Sequence, residues 1–264
     1  MTAPYAFRMR FSDDSLARRL EDVQNRFMLE WLAGTGAELE RFGAAVAARD
    51  ASRPELDFVN RVYGLWPEDA DRVVEIAAGY RERGVRAWFE PAPCKRFEEL
   101  ANALRAAGAG QVGFHTVVYG AASERPLPGV VEIDGTPDSE LFADVLLRGH
   151  GVPEGARVRD RASVARWAEL DAWRLYLARV DGEPAGAALL SLDADIGYLA
   201  NASTLPEYRR RGVQTALIAR RIEDAAAAGC DAVCSGAPFG SPSQRNLQRA
   251  GLQVAYTKAV WRLH

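Results

Sequence analysis

The chain has 264 residues, 33 Lys+Arg against 36 Asp+Glu, a formal net charge of −3, and 48% hydrophobic with 26% charged residues. These proportions exclude a disordered chain, and no apolar run approaches the about 18–20 residues of a membrane span. Arginine supplies nearly all the positive charge, Lys95 and Lys258 being the only lysines, but scattered arginine in a net acidic chain argues against nucleic-acid binding. Cys94, Cys230 and Cys234 cannot all pair, and His115, His150 and His264 lie far apart, so neither a disulfide framework nor a metal site is expected. The opening Met1-Thr2-Ala3-Pro4-Tyr5-Ala6-Phe7-Arg8 has no apolar signal region, which predicts a cytoplasmic protein with no membrane partner. The length suits one large domain or two modules of roughly 130 residues each.

From about Asp13 to Asp50 the spacing predicts helix. Leu16, Leu20, Val23, Phe27 and Leu32 recur near 3.6 residues, Ser12 or Asp13 can cap the start, and Gly34-Thr35-Gly36 divides the stretch into two helices. Leu56 to Tyr63 reads as a strand, Pro67 to Arg83 as a helix stopped by Gly84, and Val85 to Phe89 as a strand. Phe97 to Ala107 reads as a helix and Val112 to Tyr119 as a strand. The Pro- and Gly-bearing stretch Ser123 to Gly129 is the expected boundary, giving an N-terminal module 1–125 and a C-terminal domain 126–264.

After it, Val130 to Ile133 reads as a strand, and Asp138 to Leu147 and Ser163 to Asp171 as helices. Leu175–Arg179, Ala185–Leu192 and Ile196–Thr204 form a predicted meander turned at Asp181-Gly182 and Asp193-Ala194-Asp195. A helix from Gly212 to Ala228, a strand over Ala232–Ser235, a helix over Ser243–Ala250 and a strand over Gln253–Trp261 complete the chain. Leu56–Tyr119 and Ile196–Trp261 share the order strand, helix, strand, helix, strand. That alternation implies an α/β (α+β) fold, a mixed sheet with helices on its faces and a fold repeated in two halves.

One segment carries chemistry: Tyr208-Arg209-Arg210-Arg211-Gly212-Val213-Gln214-Thr215-Ala216-Leu217, between a strand and a long helix. Backbone N–H groups at such a turn form an anion nest and the helix dipole adds positive potential. Gly212 lets the backbone approach a ligand, and Thr215 can add a hydroxyl. From Glu207 to Arg221 five arginines face one glutamate, which points to a phosphate-bearing ligand.

The segment resembles the acyl-CoA-binding signature of the GNAT superfamily of N-acyltransferases, Arg/Gln-x-x-Gly-x-Gly/Ala. Arg209 and Gly212 match the first and fourth positions; Gln214 departs at the sixth, where a small residue is usual. Thr204 to Arg209 resembles the end of the family's fourth strand. Ser243-Gln244-Arg245-Asn246 with Ala250-Gly251-Leu252 resembles its second cofactor motif.

The resemblance covers about Val130 to His264. It implies splayed fourth and fifth strands holding the pantetheine arm, with Ala202, Ser203 and Thr204 pairing to it. Arg209, Arg210, Arg211, Gly212, Val213, Gln214 and Thr215 would hold phosphate, and Arg245 and Asn246 the arm or a phosphate. Gly64-Leu65-Trp66-Pro67-Glu68-Asp69 occupies the signature's place in the first half, and its carboxylates disfavour phosphate, so that half is expected to be a degenerate GNAT-like module.

The implied activity is acyl transfer from an acyl-CoA, acetyl-CoA foremost, to a small-molecule amine, by a monomer or homodimer. An acyl-CoA sensor without turnover, or acyl-CoA hydrolysis or decarboxylation, is the alternative. The predicted fourth strand carries no acid. Asn201 and Ser203, sharing a face by alternation, can position a water or substrate. Glu132 and His150 are candidate bases. Leu247 stands where relatives place the tyrosine that protonates the leaving thiolate, leaving Tyr256 or solvent for that role. Cys234 reads as a buried small hydrophobe rather than a nucleophile.

Overall fold

A computed structural model of the chain describes residues 14–123 and 131–263. The caps expected at Ser12 or Asp13, most of the expected linker, Val130 and His264 lie outside the described residues. The chain divides into two compact units. The first comprises Met1–Val117, Ala237–Phe239 and Val254–His264; the second comprises Val118–Gly236 and Gly240–Gln253. The last eleven residues, expected in the C-terminal domain, therefore fall in the first unit.

The first unit opens with α1 (Asp14–Ala33), whose buried face carries Leu20, Val23, Phe27 and Leu32 as the periodicity predicts. A hairpin follows where helix is expected: β1 (Glu38–Phe42) pairs antiparallel with β2 (Ala45–Arg49). The run Ala45-Val46-Ala47-Ala48 reads as helix by propensity, but all four side chains are buried, and small residues suit a strand enclosed on both faces. Gly43, at φ +66°, makes the turn.

The strand expected from Leu56 shortens to β3 (Arg61–Tyr63). The next helix begins as a 3₁₀ segment, Pro67–Arg72, and continues as α2 (Val73–Glu82). β4 (Ala87–Phe89), α3 (Phe97–Ala106) and β5 (Ala109–Ala121) follow. β3 and β4 are parallel, and β11 (Gln253–Leu263) runs antiparallel to β4 with Trp261 opposite Phe89. That pairing carries the C-terminal strand into the first unit. Ile76, Tyr80, Phe89, Leu100, Leu104, Trp261 and Leu263 form its core.

A charged cluster is sealed beside that core. Glu90 accepts from His115 Nδ1 at 2.9 Å and pairs with Arg61 at 2.9 Å. Lys258 pairs with Glu21 at 3.0 Å. Burial works against an ionised Glu90, but Arg61, the His115 hydrogen bond and Lys258 outweigh it and hold the carboxyl well below the usual range.

The second unit contains β6 (Glu132–Asp134), α4 (Ser139–Gly149), α5 (Glu154–Ala165), β7 (Trp173–Val180), β8 (Glu183–Asp193) and β9 (Ile196–Thr204). α6 (Val213–Ala227), β10 (Ala232–Pro238) and α7 (Pro242–Arg249) complete it. α5 starts nine residues before the helix expected at Ser163, because its exposed Arg- and Asp-rich face hides the periodicity. β6, β7, β8 and β9 pair antiparallel in succession, and β9 and β10 pair in parallel. The tight turn between β7 and β8 has both Asp181 (φ +54°) and Gly182 (φ +82°) in the left-handed region, the hairpin geometry that Asp-Gly favours. No described helix is long and apolar enough to cross a membrane.

Candidate acyl-CoA site

β9 and β10 pair only from Ala232 opposite Ile196 to Cys234 opposite Tyr198. β9 then runs on to Thr204 without a β10 partner, so the two strands part. At the fork, Ser235 Oγ donates to the Leu199 carbonyl at 2.8 Å.

β9 is also interrupted on its other edge. Leu189 pairs with Ala200 and Ala188 with Ala202, leaving Asn201 as an inserted bulge residue at φ +27°. A bulge adds one residue and breaks the two-residue alternation of faces. Simple alternation therefore does not by itself relate the faces of Asn201 and Ser203. Ser203 is buried and donates to the Leu146 carbonyl of α4 at 3.0 Å. α4 sits close there: a Cβ on Gly149 would lie 2.3 Å from Ser203 Oγ.

Beyond the fork lies a cavity of about 700 Å³ within the second unit. Ala202, Ser203 and Thr204 line it from β9, Gly149 and His150 from the end of α4, and Pro242, Ser243, Asn246 and Arg249 from α7. Tyr208, Arg209, Arg210, Gly212, Val213, Gln214 and Thr215 close it at the start of α6. No acidic residue is among the lining residues, while three arginines are.

Gly212 caps α6 at φ +82°, and a Cβ built there would meet nothing within 4 Å. Arg210 is also left-handed, at φ +64°. The first N–H groups of α6 have no partner one turn back, so this loop offers donors to an anion. Ser241 caps α7 by accepting from Gln244 N at 3.1 Å, which sets Ser243, Asn246 and Arg249 three residues apart along one face. Burial pushes the His150 imidazole below its ordinary pKa and favours its neutral form.

The local charge excess read from the sequence is redistributed. Arg211 pairs with Asp181 at 2.7 Å and Arg220 with Asp224 at 2.9 Å. Arg221 is buried against backbone carbonyls. Only Arg209 and Arg210 of the five reach the cavity, and Arg249 joins them from α7.

Arg245 donates to the Gly240 carbonyl and, like Arg211, Asn201 and Glu132, is not a lining residue. Glu132 lies on β6 opposite Arg179. Tyr256 belongs to the first unit, where its hydroxyl donates to Glu21 Oε1 at 2.6 Å. Cys234 and Leu247 are buried, and Trp173 packs on Trp167 with centroids 5.6 Å apart in the core. Phe239 is exposed in the first unit.

Gly149, Tyr208, Pro242, Ser243 and Arg249 line the cavity in addition to the cofactor residues expected from the sequence. The three-residue step from Asn246 was the available signal for Ser243 and Arg249. Gly149 carries no local signal, since a close approach between elements distant in sequence selects it.

Parted strands, a β-bulge and an arginine-glycine turn into a helix thus border one cavity in the second unit. Residues 147–240 match the family model described as Acetyltransferase (GNAT) domain, the superfamily that the sequence resembles. The fold is similar to that of a GCN5-related N-acetyltransferase from Kribbella flavida, at 15% identity and TM-score 0.66, covering 93% of this chain and 95% of that one. A GCN5-related N-acetyltransferase from Sphaerobacter thermophilus matches at 16% identity and TM-score 0.63, over 83% and 76% of the two chains. A tandem GNAT protein from the clavulanic acid biosynthesis pathway matches at 13% identity and TM-score 0.61, over 93% and 94%. The chain thus has a mixed α/β fold of the type these acetyltransferase structures share. No curated protein sequence matches it. Among the described residues no group of three His, Cys, Asp or Glu could hold a metal ion.

Proposed function

We propose that the protein transfers an acyl group, acetyl foremost, from the CoA thioester to the amine of a small molecule. The acyl-CoA chemistry belongs to residues 126–264, and residues 1–125 form a degenerate GNAT-like module. One observation carries the reading: the cavity at the β9–β10 fork has three arginines, an open left-handed glycine and no carboxylate. Its volume is in the ordinary range for a small-molecule site.

In this reading Arg209, Arg210 and the α6 N–H groups hold the diphosphate, with Arg249 and Asn246 on the opposite wall. The backbone of Ala202–Thr204 lies along the pantetheine arm. The amine must lose a proton to attack the thioester carbonyl, and His150, held neutral by burial, is the lining group able to take it. A β9 backbone N–H stabilises the charge that develops on the carbonyl oxygen. The sulfur leaves with the electrons of the broken C–S bond and takes its proton from solvent, since Leu247 offers none and the Tyr256 hydroxyl is given to Glu21.

The test is release of free CoA thiol from acetyl-CoA across a panel of amines. Amine-dependent release that Gly212→Asp abolishes supports transfer. Release without amine supports hydrolysis, and tight binding without release supports a sensor.

A further inference from the structure

Arg221 is an arginine where a core residue would be expected. It lies on α6 with 2% of its surface exposed. Its Nε donates to the Leu217 carbonyl at 3.0 Å, and its Nη1 donates to the carbonyls of both Leu189 and Ala200 at 3.0 Å. All three bonds go to backbone oxygens. The nearby acid of α6, Asp224, serves Arg220 and the Tyr176 hydroxyl instead. Burial pulls the guanidinium down to about 10, which still leaves it charged at neutral pH.

Enclosing a cation without a carboxylate is costly, and an apolar side chain would fill the same volume without that cost. The position of the two β-strand acceptors accounts for it. Leu189 and Ala200 are ladder partners immediately before the register shifts, and Asn201 is the inserted residue. A single guanidinium nitrogen therefore ties the two strands together at the ladder pair beside the bulge. Ala202, the next ladder residue beyond the bulge, lines the cavity.

We propose that Arg221 is a positioning residue that fixes the β9 bulge and, through it, the backbone of Ala202 on the cavity wall beside the thioester carbonyl. The inference rests on the acyl-CoA reading of the cavity. It assigns a positioning role to a residue that never touches the substrate.

The test uses acetyl-CoA labelled with ¹³C at its carbonyl and bound to the full-length protein, read by isotope-edited infrared difference spectroscopy beside calorimetric affinity. The wild-type band lies below that of free acetyl-CoA. In Arg221→Met the affinity stays within about threefold, while the band returns most of the way to the free position. With an accepted amine, kcat falls by about 30-fold or more with KM little changed. Arg221→Lys, which keeps the charge, retains part of the band shift; Arg221→Gln, which keeps a donor without charge, does not. A folded Arg221→Met, or Arg221→Gln if Met does not fold, that binds acetyl-CoA and shows the wild-type band overturns the proposal. Failure of the wild type to bind acetyl-CoA at millimolar concentration overturns the acyl-CoA reading itself, a separate outcome.

Discussion

Gln214, in the first turn of α6, donates from Nε2 to Thr204 Oγ1 at the end of β9, at 3.2 Å. This is the position where the acyl-CoA signature carries a small residue. The amide ties the helix start to the strand that borders the cavity. Gln214→Ala removes one part-buried hydrogen bond and should cost about 0.5–1.5 kcal/mol of stability. CoA affinity should be unchanged or tighter, because the smaller side chain widens the approach to the α6 N–H groups. A loss of about tenfold or more in affinity, about 1.4 kcal/mol by calorimetry, would show that the amide itself binds the ligand.

Gly212→Asp should abolish CoA binding. A Cβ at this position meets no protein atom within 4 Å, so the protein itself has room for the side chain. Aspartate also tolerates the left-handed region better than most residues, and the strain should stay near 1–2 kcal/mol or below. The loss of binding then comes from a carboxylate placed in the space assigned to diphosphate. Retention of affinity within about threefold would move the cofactor elsewhere.

Turnover should depend on a group that must be neutral. Burial lowers the His150 pKa below its ordinary 6.5, so the base is competent above that lowered value and lost as pH falls through it. The rate should rise with pH through a midpoint below 6.5 and then level off, until the second substrate's own ionisation intervenes. His150→Gln should reduce kcat by about 10²–10⁴-fold and erase the acid limb. An unchanged profile in that variant would remove His150 from the mechanism.

Glu90 gives a stability prediction in the first unit. Its folded pKa is depressed, so the stability it contributes is present above the unfolded carboxylate value and lost as pH falls toward the folded one. Glu90→Gln leaves Arg61 and Lys258 without that countercharge and should cost about 3–5 kcal/mol at neutral pH. The variant should also lose stability less steeply on acidification than the wild type. Equal slopes in acid unfolding would show that the cluster is not the main proton-linked element.

The sequence made the second half legible because its signals are local. The strand Ile196–Thr204 and the turn at Asp181-Gly182 follow from alternation and from residues that accept φ above zero. Arg209 and Gly212 fall at the cavity through one short motif and Asn246 through a second. What was not legible depends on distant contacts. The Ala45–Ala48 run is a strand only because both of its faces are covered, which no window of sequence reveals. Asn201 and Ser203 were related by an alternation that a single inserted residue breaks. Arg221 counted as part of a positive patch, yet its charge is spent on carbonyls 21 and 32 residues away. Tyr256 lies on a strand whose residues from Val254 onward pack with the first unit, where its hydroxyl donates to Glu21.

The most direct test of the acyl-CoA site is thermal unfolding of the full-length protein with and without CoA and acetyl-CoA, beside Gly212→Asp. A ligand that binds only the native state adds about 2.7 kcal/mol at a hundredfold excess over its dissociation constant. The wild-type midpoint should rise by a few degrees with either ligand, and that of Gly212→Asp should not move. A wild-type midpoint that stays fixed at millimolar ligand, or a variant that shifts as far as the wild type, would contradict the assignment of the β9–β10 fork to acyl-CoA.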